Sequence, residues 1–191
     1  MNWIEIVAVA LGVANIVLII RRSIWNYPVG IAMVSLYGFI FVEVKLYSDA
    51  LLQLFFLVAN IYGWALWGRA QARMGDIVVE RLDGRARLAW IGGAVTAAIG
   101  WGWLMHRLTD AALPYWDALV AMPSVAAQLL MARRRIENWW LWIAVDAIAI
   151  PLYWTKGLML TAALYAAFLL LAVAGLIEWR RVAARAVTAT A

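Results

Sequence analysis

The chain has 191 residues, of which 67% are hydrophobic and 14% are charged, and its mean hydropathy is +0.84. A soluble domain of this length does not bury so much apolar surface, so the composition predicts a single domain in a lipid bilayer. The lack of cysteine excludes disulfides, thiolate chemistry and cysteine-bound metals. The formal charge of +5 could indicate nucleic acid, but the basic residues lie between hydrophobic stretches, where they orient helices, so no nucleic acid partner is expected.

Seven apolar stretches follow one another along the chain, each about as long as a helix that crosses roughly 30 Å of hydrocarbon. We predict transmembrane helices near residues 3–20, 27–44, 48–67, 88–105, 113–131, 138–154 and 158–177. The longest polar segment, residues 69–87, is predicted to be one connecting loop. The first stretch is not predicted to be a signal peptide, because basic residues follow it instead of preceding it.

The basic residues are divided unequally between the two sides of these predicted helices. Counted on alternate sides, 13 of the 16 Lys and Arg residues fall on one side, and only Lys45, Arg107 and Lys156 fall on the other. Cytoplasmic loops carry the excess of Lys and Arg. The sequence therefore predicts an N-terminus outside the cell and a C-terminus in the cytoplasm.

An internal repeat becomes visible when the chain is shifted by 112 residues against itself. Identical residues then include Arg21–Arg22 with Arg133–Arg134, Asn26 with Asn138, Gly63 with Gly175 and Trp67 with Trp179. Chance readily matches Ala, Leu and Val in this composition, but it seldom matches Arg, Asn, Gly and Trp. We interpret the pattern as two three-helix repeats, residues 3–68 and 113–181, joined by a linker helix at 88–105. A shift of four helices gives equivalent helices the same direction across the membrane, so the repeats are parallel. Some transporters have two parallel repeats and bind the substrate between them.

A carboxylate inside an apolar stretch is the most unusual feature of the sequence. Asp146 lies about 12 Å along the sixth predicted helix, where an ionisable group costs about 2.5–3.5 kcal/mol and normally faces a cavity or a partner. Trp139 and Trp142 share its helical face, and indole rings stack on flat rings and attract cations. Two structural interpretations stay open: a hydrogen bond from Asp146 to a neighbouring helix, and interfacial anchoring by Trp139.

Amide side chains supply a second polar surface. Gln53, Asn60 and Trp64 recur at helical spacing on the third predicted helix, and Gln128 lies on the fifth. Amides can bind ribose-like hydroxyls or a carboxamide, although hydrogen bonding between helices is equally common for such residues.

Several kinds of chemistry lack the residues that they need. His106 is the only histidine, and no phosphate-binding loop occurs, so neither a metal site nor a cofactor is expected. An integral-membrane enzyme would have to use Asp146, Glu5 and Asp117 for acid–base chemistry, with no nucleophile or metal set beside them. The sequence therefore favours a transporter over an enzyme.

The chain resembles the PnuC family of bacterial vitamin transporters over nearly its whole length. The resemblance is carried by the segments LLQLFFLVANIYGWALW, PYWD and RRRIENWWLWIAVD. The resemblance implies an all-helical 3+1+3 fold related in plan to the SWEET sugar transporters, in the bacterial inner membrane, as a homotrimer among membrane lipids. It also implies uptake of nicotinamide riboside by facilitated diffusion, with trapping by cytoplasmic phosphorylation.

The resemblance also implies which residues bind substrate. The family motif Trp-x-x-Trp-x-x-x-Asn/Asp falls on Trp139, Trp142 and Asp146, and the polar third helix falls on Gln53 and Asn60. Members of the family often carry Asn where this chain has Asp146. Relatives in the wider family carry thiamine or other vitamins, so thiamine or another cationic aromatic vitamin is an alternative substrate, and a proton-coupled carrier is an alternative mechanism.

Overall fold

The computed structural model describes residues 3–43, 47–75, 77–109, 113–155, 157 and 159–188. Seven α-helices make up most of this described part of the chain. They are α1 (Trp3–Ile20), α2 (Asn26–Glu43), α3 (Tyr47–Met74), α4 (Gly84–Leu108), α5 (Pro114–Ala132), α6 (Glu137–Thr155) and α7 (Met159–Thr188). The prediction of an all-helical chain with seven helices is confirmed. Lys45 and Lys156, which entered the charge count, lie outside the described residues.

Within the described part of the chain, three helical segments are long and apolar enough to cross a membrane by length and composition. They are Leu51–Met74, Gly84–Leu108 and Thr161–Arg185, and Ile6–Ile20 and Asn26–Ile40 are shorter apolar segments. In each of the three, no more than 22% of the apolar window is buried inside the protein. Such exposed apolar surface is expected of helices that face lipid.

The connection between α3 and α4 corrects one prediction. Residues 69–87 do not form one loop, because α3 continues to Met74 and α4 begins at Gly84. The segment GRAQARM after Trp67 is rich in good helix formers, so the helix continues beyond its apolar part. At the other end, the Asp83 carboxylate accepts a hydrogen bond from the Ala86 amide at 2.7 Å and caps the start of α4.

The helices group into two compact units. One comprises residues 1–78 with 132–134 and holds α1, α2 and α3, in which α2 packs against both neighbours. The other comprises residues 79–131 with 135–191 and holds α4 to α7, in which α6 packs against α7.

The turn into α2 and the turn into α6 have closely similar backbone geometry. Arg22 and Arg134 have φ angles of 57° and 59°, in the left-handed region that residues with side chains seldom adopt. In both turns the next amide donates to the carbonyl five residues earlier, at 2.9 Å. The side-chain amides of Asn26 and Asn138 each donate to the carbonyl three residues earlier, at 2.7 and 2.6 Å. Both helices therefore start from the same local structure.

Candidate functional site

The sixth helix carries the predicted binding motif on one face. Trp139, Trp142 and Asp146 lie within the uninterrupted helix α6, with Trp139 and Asp146 separated by about 10 Å along its axis. Trp139 and Asp146 are each 3% exposed, whereas Trp142 is half-buried. Trp142 is thus the more accessible of the two indoles.

Trp139 packs tightly against the seventh helix. A Cβ atom placed on Gly175 would lie 2.5 Å from Trp139 Cη2, so the absence of a side chain there lets the indole approach the α7 backbone. The Trp139 and Trp179 ring centroids are 5.5 Å apart, and the planes meet at 90°, which is a favourable edge-to-face arrangement. The Trp139 Nε1 donor is buried and has no hydrogen-bond partner within the described part of the chain. Packing alone therefore explains a large aromatic residue at position 139.

The first unit contains an aromatic pair with matching geometry. A Cβ atom on Gly63 would lie 2.5 Å from Tyr27 Cε1, and the Tyr27 and Trp67 ring centroids are 5.3 Å apart at 89°. Because tyrosine fills the same kind of position in α2, this packing does not require an indole. Trp142 therefore becomes the principal candidate for stacking on a ligand ring.

Asp146 is a buried acid, 3% exposed. Neither a hydrogen bond nor an ion pair to Asp146 occurs among the residues that the structure describes. The structure thus gives no support to the interpretation that Asp146 bonds to a neighbouring helix. A buried carboxylate is costly unless paired, so a polar or cationic ligand would stabilise it.

The predicted site residues on α3 differ in how deeply they are buried. Asn60 is 4% exposed, and its amide donates to the Phe56 carbonyl at 2.8 Å, while Gln53 is half-buried. Trp64 is 43% exposed and is the most accessible of these three side chains.

Within the first unit, the side-chain amides of Asn60 and Asn15 both lie close to Gly30. A Cβ atom on Gly30 would lie 2.9 Å from both Asn15 Nδ2 and Asn60 Oδ1. Asn15 Nδ2 also donates to the Asn26 carbonyl at 2.5 Å. The three helices of this unit therefore come together around two buried amides and one glycine.

The fifth helix contributes buried polar residues to the second unit. Gln128 and Ser124 are 6% and 5% exposed, and the Ser124 hydroxyl donates to the Val120 carbonyl of its own helix at 2.7 Å. Of the acids considered for an enzyme, Asp117 is half-buried in the first turn of α5, and the Glu5 side chain lies outside the described part of the structure.

Sequence reasoning missed several aromatic residues near the α6 face. Trp116 Nε1 donates to the Ile148 carbonyl at 3.2 Å and joins α5 to α6. Tyr153 lies seven residues after Asp146, and its ring centroid is 5.1 Å from that of Tyr165 in α7, with a 30° angle between the planes. The i+7 spacing of Tyr153 from Asp146 is the signal that could have identified it.

A groove of about 300 Å³ lies between α4 and α5, but it does not coincide with the candidate site. Its lining includes Trp90, Met122 and Leu129 and otherwise consists of small or aliphatic residues. None of the predicted binding residues lines it, and it offers neither a carboxylate nor an amide side chain. The buried polar residues on α6 therefore define the candidate site better than this groove does.

Comparison with known proteins gives a consistent family match. The family described as nicotinamide mononucleotide transporter matches residues 2–181. The chain is 29% identical to the nicotinamide riboside transporter PnuC of Escherichia coli strain K12, over 94% of this chain and 85% of that protein. It is 29% identical to the protein of the same name from Neisseria mucosa, over 96% and 74% of the two chains.

Two further relatives extend the comparison. The riboflavin/roseoflavin transporter RibM of Streptomyces davaonensis is 26% identical, over 93% of this chain and 84% of that protein. A crystal structure described as the vitamin B3 transporter PnuC has a TM-score of 0.78 and 29% identity, covering 96% of this chain and 83% of that chain. Both the fold and the sequence therefore match solute transporters.

Proposed function

Because this chain belongs to the nicotinamide mononucleotide transporter family, we propose that it takes up nicotinamide riboside by facilitated diffusion. The family and the relatives are transporters and not enzymes, and the chain is a multi-pass membrane protein. The observation that carries the proposal is the buried Asp146, which has no partner among the described residues and shares a face of α6 with the more accessible Trp142. Nicotinamide riboside has a flat cationic ring and ribose hydroxyls, which suit an indole and a carboxylate.

In this proposal each residue has a defined role. Trp142 stacks on the pyridinium ring, with Trp139 beside it on the same face of α6. Asp146 supplies counter-charge or accepts a hydrogen bond from the ribose. Gln53 and Asn60 bind polar groups of the substrate. Trp64 and Gln128 remain predicted contacts, and the burial of Gln128 suits that role better than the exposure of Trp64.

We further propose the 3+1+3 arrangement of two parallel repeats, with α4 as linker, within residues 1–191. The matching turns at Arg22 and Arg134 support it, as do the equivalent pairs Tyr27–Trp67 and Trp139–Trp179. Alternating access would then come from movement of the two repeats about the substrate.

The remaining proposals concern the cellular setting. We place the N-terminus outside and the C-terminus in the cytoplasm of a bacterial inner membrane, in agreement with the distribution of basic residues. Homotrimers in contact with membrane lipids, and trapping of the substrate by cytoplasmic phosphorylation, are further parts of the proposal that rest on the family resemblance.

The direct test is the binding of nicotinamide riboside and thiamine to the purified protein. Stacking on an aromatic ring contributes about 1–3 kcal/mol, so Trp142→Ala should weaken nicotinamide riboside binding by about fivefold to 150-fold. Trp140→Ala is the matched control, because Trp140 lies on the same helix and is 51% exposed. Equal affinities of wild type and Trp142→Ala would remove the stacking proposal.

A second candidate substrate is a flat uncharged vitamin, which the similarity to RibM favours. Asp146→Asn separates the two possibilities, because it removes the charge and keeps most hydrogen-bonding capacity. A cationic substrate should bind the variant more weakly, whereas an uncharged one should not. Uptake into vesicles with and without an imposed pH gradient tests the alternative of proton coupling, since a uniporter should not respond to that gradient.

A further inference from the structure

A short segment that precedes and begins α4 is attached to the start of α6. We call this segment, residues 80–87, the strap. Glu80 and Arg135 form an isolated parallel β-bridge, in which the Ile136 amide donates to the Glu80 carbonyl at 3.0 Å. The Arg135 guanidinium also pairs with the Glu80 carboxylate at 2.8 Å and donates to the Arg81 carbonyl at 3.2 Å. The strap is therefore bound along the turn that leads into α6.

Glu137, the first residue of α6, binds the rest of the strap. Its Oε2 atom accepts a hydrogen bond from the Leu82 amide at 3.1 Å, and its Oε1 atom accepts one from Arg87 Nε at 2.9 Å. Arg87 lies in the first turn of α4, so one carboxylate ties the starts of two helices together. The Glu137 side chain is 14% exposed, whereas that of Arg87 is 49% exposed.

The turn into α2 reaches the same backbone geometry as the turn into α6 with a different residue in place of Glu137. The equivalent position is Trp25, which is 68% exposed. Arg22 of that turn donates to the Ile77 carbonyl at 3.1 Å. A turn of this geometry therefore does not itself require a glutamate at the start of the helix that follows.

The contacts of the strap are of a kind that can break and re-form. Arg87 and Glu80 side chains are 49% and 37% exposed, and exposed ion pairs are weak and screened by salt. Glu137 also lies only five residues before Trp142, so the strap holds the end of the helix that carries the candidate site. We propose that the strap is a releasable attachment that opens once in each transport cycle to allow α6 to move. This proposal rests on the proposed transport function.

The test is to lock the strap with a disulfide. Paired residues of adjacent strands lie about 5 Å apart, within disulfide range, so Glu80→Cys with Arg135→Cys should cross-link on oxidation. The chain has no cysteine of its own, so only this pair can form. In proteoliposomes, oxidation should lower nicotinamide riboside uptake at least about tenfold, and dithiothreitol should restore it. Cross-linked protein that transports at the full rate would overturn the proposal.

Two controls make the result specific. Neither single-cysteine variant should respond to oxidation, and the cross-linked protein should bind nicotinamide riboside within about twofold of wild type. If wild-type protein takes up no nicotinamide riboside, the proposed substrate is wrong. The same cross-linking experiment with riboflavin would then decide whether the strap must open.

A second variant tests the strap without a disulfide. Arg87→Gln removes one ion pair with Glu137 and should raise the maximal uptake rate about threefold, because a weaker attachment opens more often. Arg85→Gln is the matched control, because Arg85 is an exposed arginine two residues away with no contact among the described residues. If both variants transport like wild type, or if Arg87→Gln alone is slower, the proposal fails.

Discussion

Two glycines determine how closely an aromatic ring can approach a helix backbone in this molecule. An aromatic ring lies so close to Gly63, and another to Gly175, that neither position has room for a methyl group. In each case the tryptophan four residues after the glycine packs edge-to-face against that ring. A glycine inside a helix normally destabilises it by about 1 kcal/mol relative to alanine. At these two positions the close packing of the ring offsets that cost.

Gly175→Ala should therefore destabilise the protein although alanine favours helix formation. The added methyl group would overlap the Trp139 ring, and overpacking of this kind costs about 1–3 kcal/mol. The measurement is the thermal unfolding temperature of the purified protein in detergent. Gly100→Ala is the control, because its Cβ would meet no neighbouring atom, so that variant should match or exceed wild type. Equal unfolding temperatures for the two variants would contradict the packing argument.

Substitutions of Trp139 separate its packing role from its predicted role in binding. Trp139→Tyr should keep nearly the wild-type unfolding temperature, because Tyr27 makes the same arrangement with Gly63 and Trp67. Trp139→Ala should lose about 3–5 kcal/mol of stability. If Trp139 also stacks on the substrate, the tyrosine variant should bind nicotinamide riboside more weakly while remaining as stable as wild type. A tyrosine variant as unstable as the alanine variant would show that the two positions are not equivalent.

The packing of Trp139 could have been predicted from the sequence, whereas the surroundings of Asp146 could not. The 112-residue shift matches Gly63 and Trp67 with Gly175 and Trp179, and it places Tyr27 on Trp139. The helical spacing of Asp146 was sufficient to place it on the Trp142 face. The burial of Asp146 and its lack of a partner among the described residues depend on how the helices pack, which a linear sequence does not specify.

At the level of helices, hydropathy located every helix but misplaced some of their ends. The apolar stretches of α3 and α7 end near residues 67 and 177, yet these helices continue to Met74 and Thr188. Hydropathy marks where a helix leaves the apolar phase, whereas helix propensity and capping decide where it ends. The strap could not be predicted, because a single β-bridge has no period in the sequence.

Asp83 provides a test of helix capping at the strap. Asp83→Ala should cost about 0.5–2 kcal/mol of stability, because the Ala86 amide loses its hydrogen-bond acceptor. Asp83→Asn keeps an oxygen at that position and should remain close to wild type. Chemical unfolding of the purified variants measures the difference. An alanine variant as stable as the asparagine variant would mean that water replaces the cap without cost.

For the whole molecule, the distribution of basic residues predicts a definite orientation of α4. Arg85 and Arg107 lie near its two ends, about 33 Å apart along the axis, so they should lie on opposite sides of the membrane. Arg85→Cys should react with an impermeant thiol reagent only after the cytoplasmic side is exposed, and Arg107→Cys should react in intact cells. The wild-type chain, which has no cysteine, is the unreactive control. The reverse labelling pattern would overturn the proposed orientation.

The two halves of the proposed repeat differ at the positions equivalent to Asn15, Gly30 and Asn60. A shift of 112 residues places Ala127, Trp142 and Ala172 there, and both alanines are buried. The first half thus has two amides around a glycine, and the second has one indole with two methyl groups in the equivalent places. Because a Cβ atom on Gly30 would already crowd both amides, no single substitution converts the first set into the second. If the gene arose by duplication, the two halves have diverged at all three of these positions, and the second half has no amide at any of them.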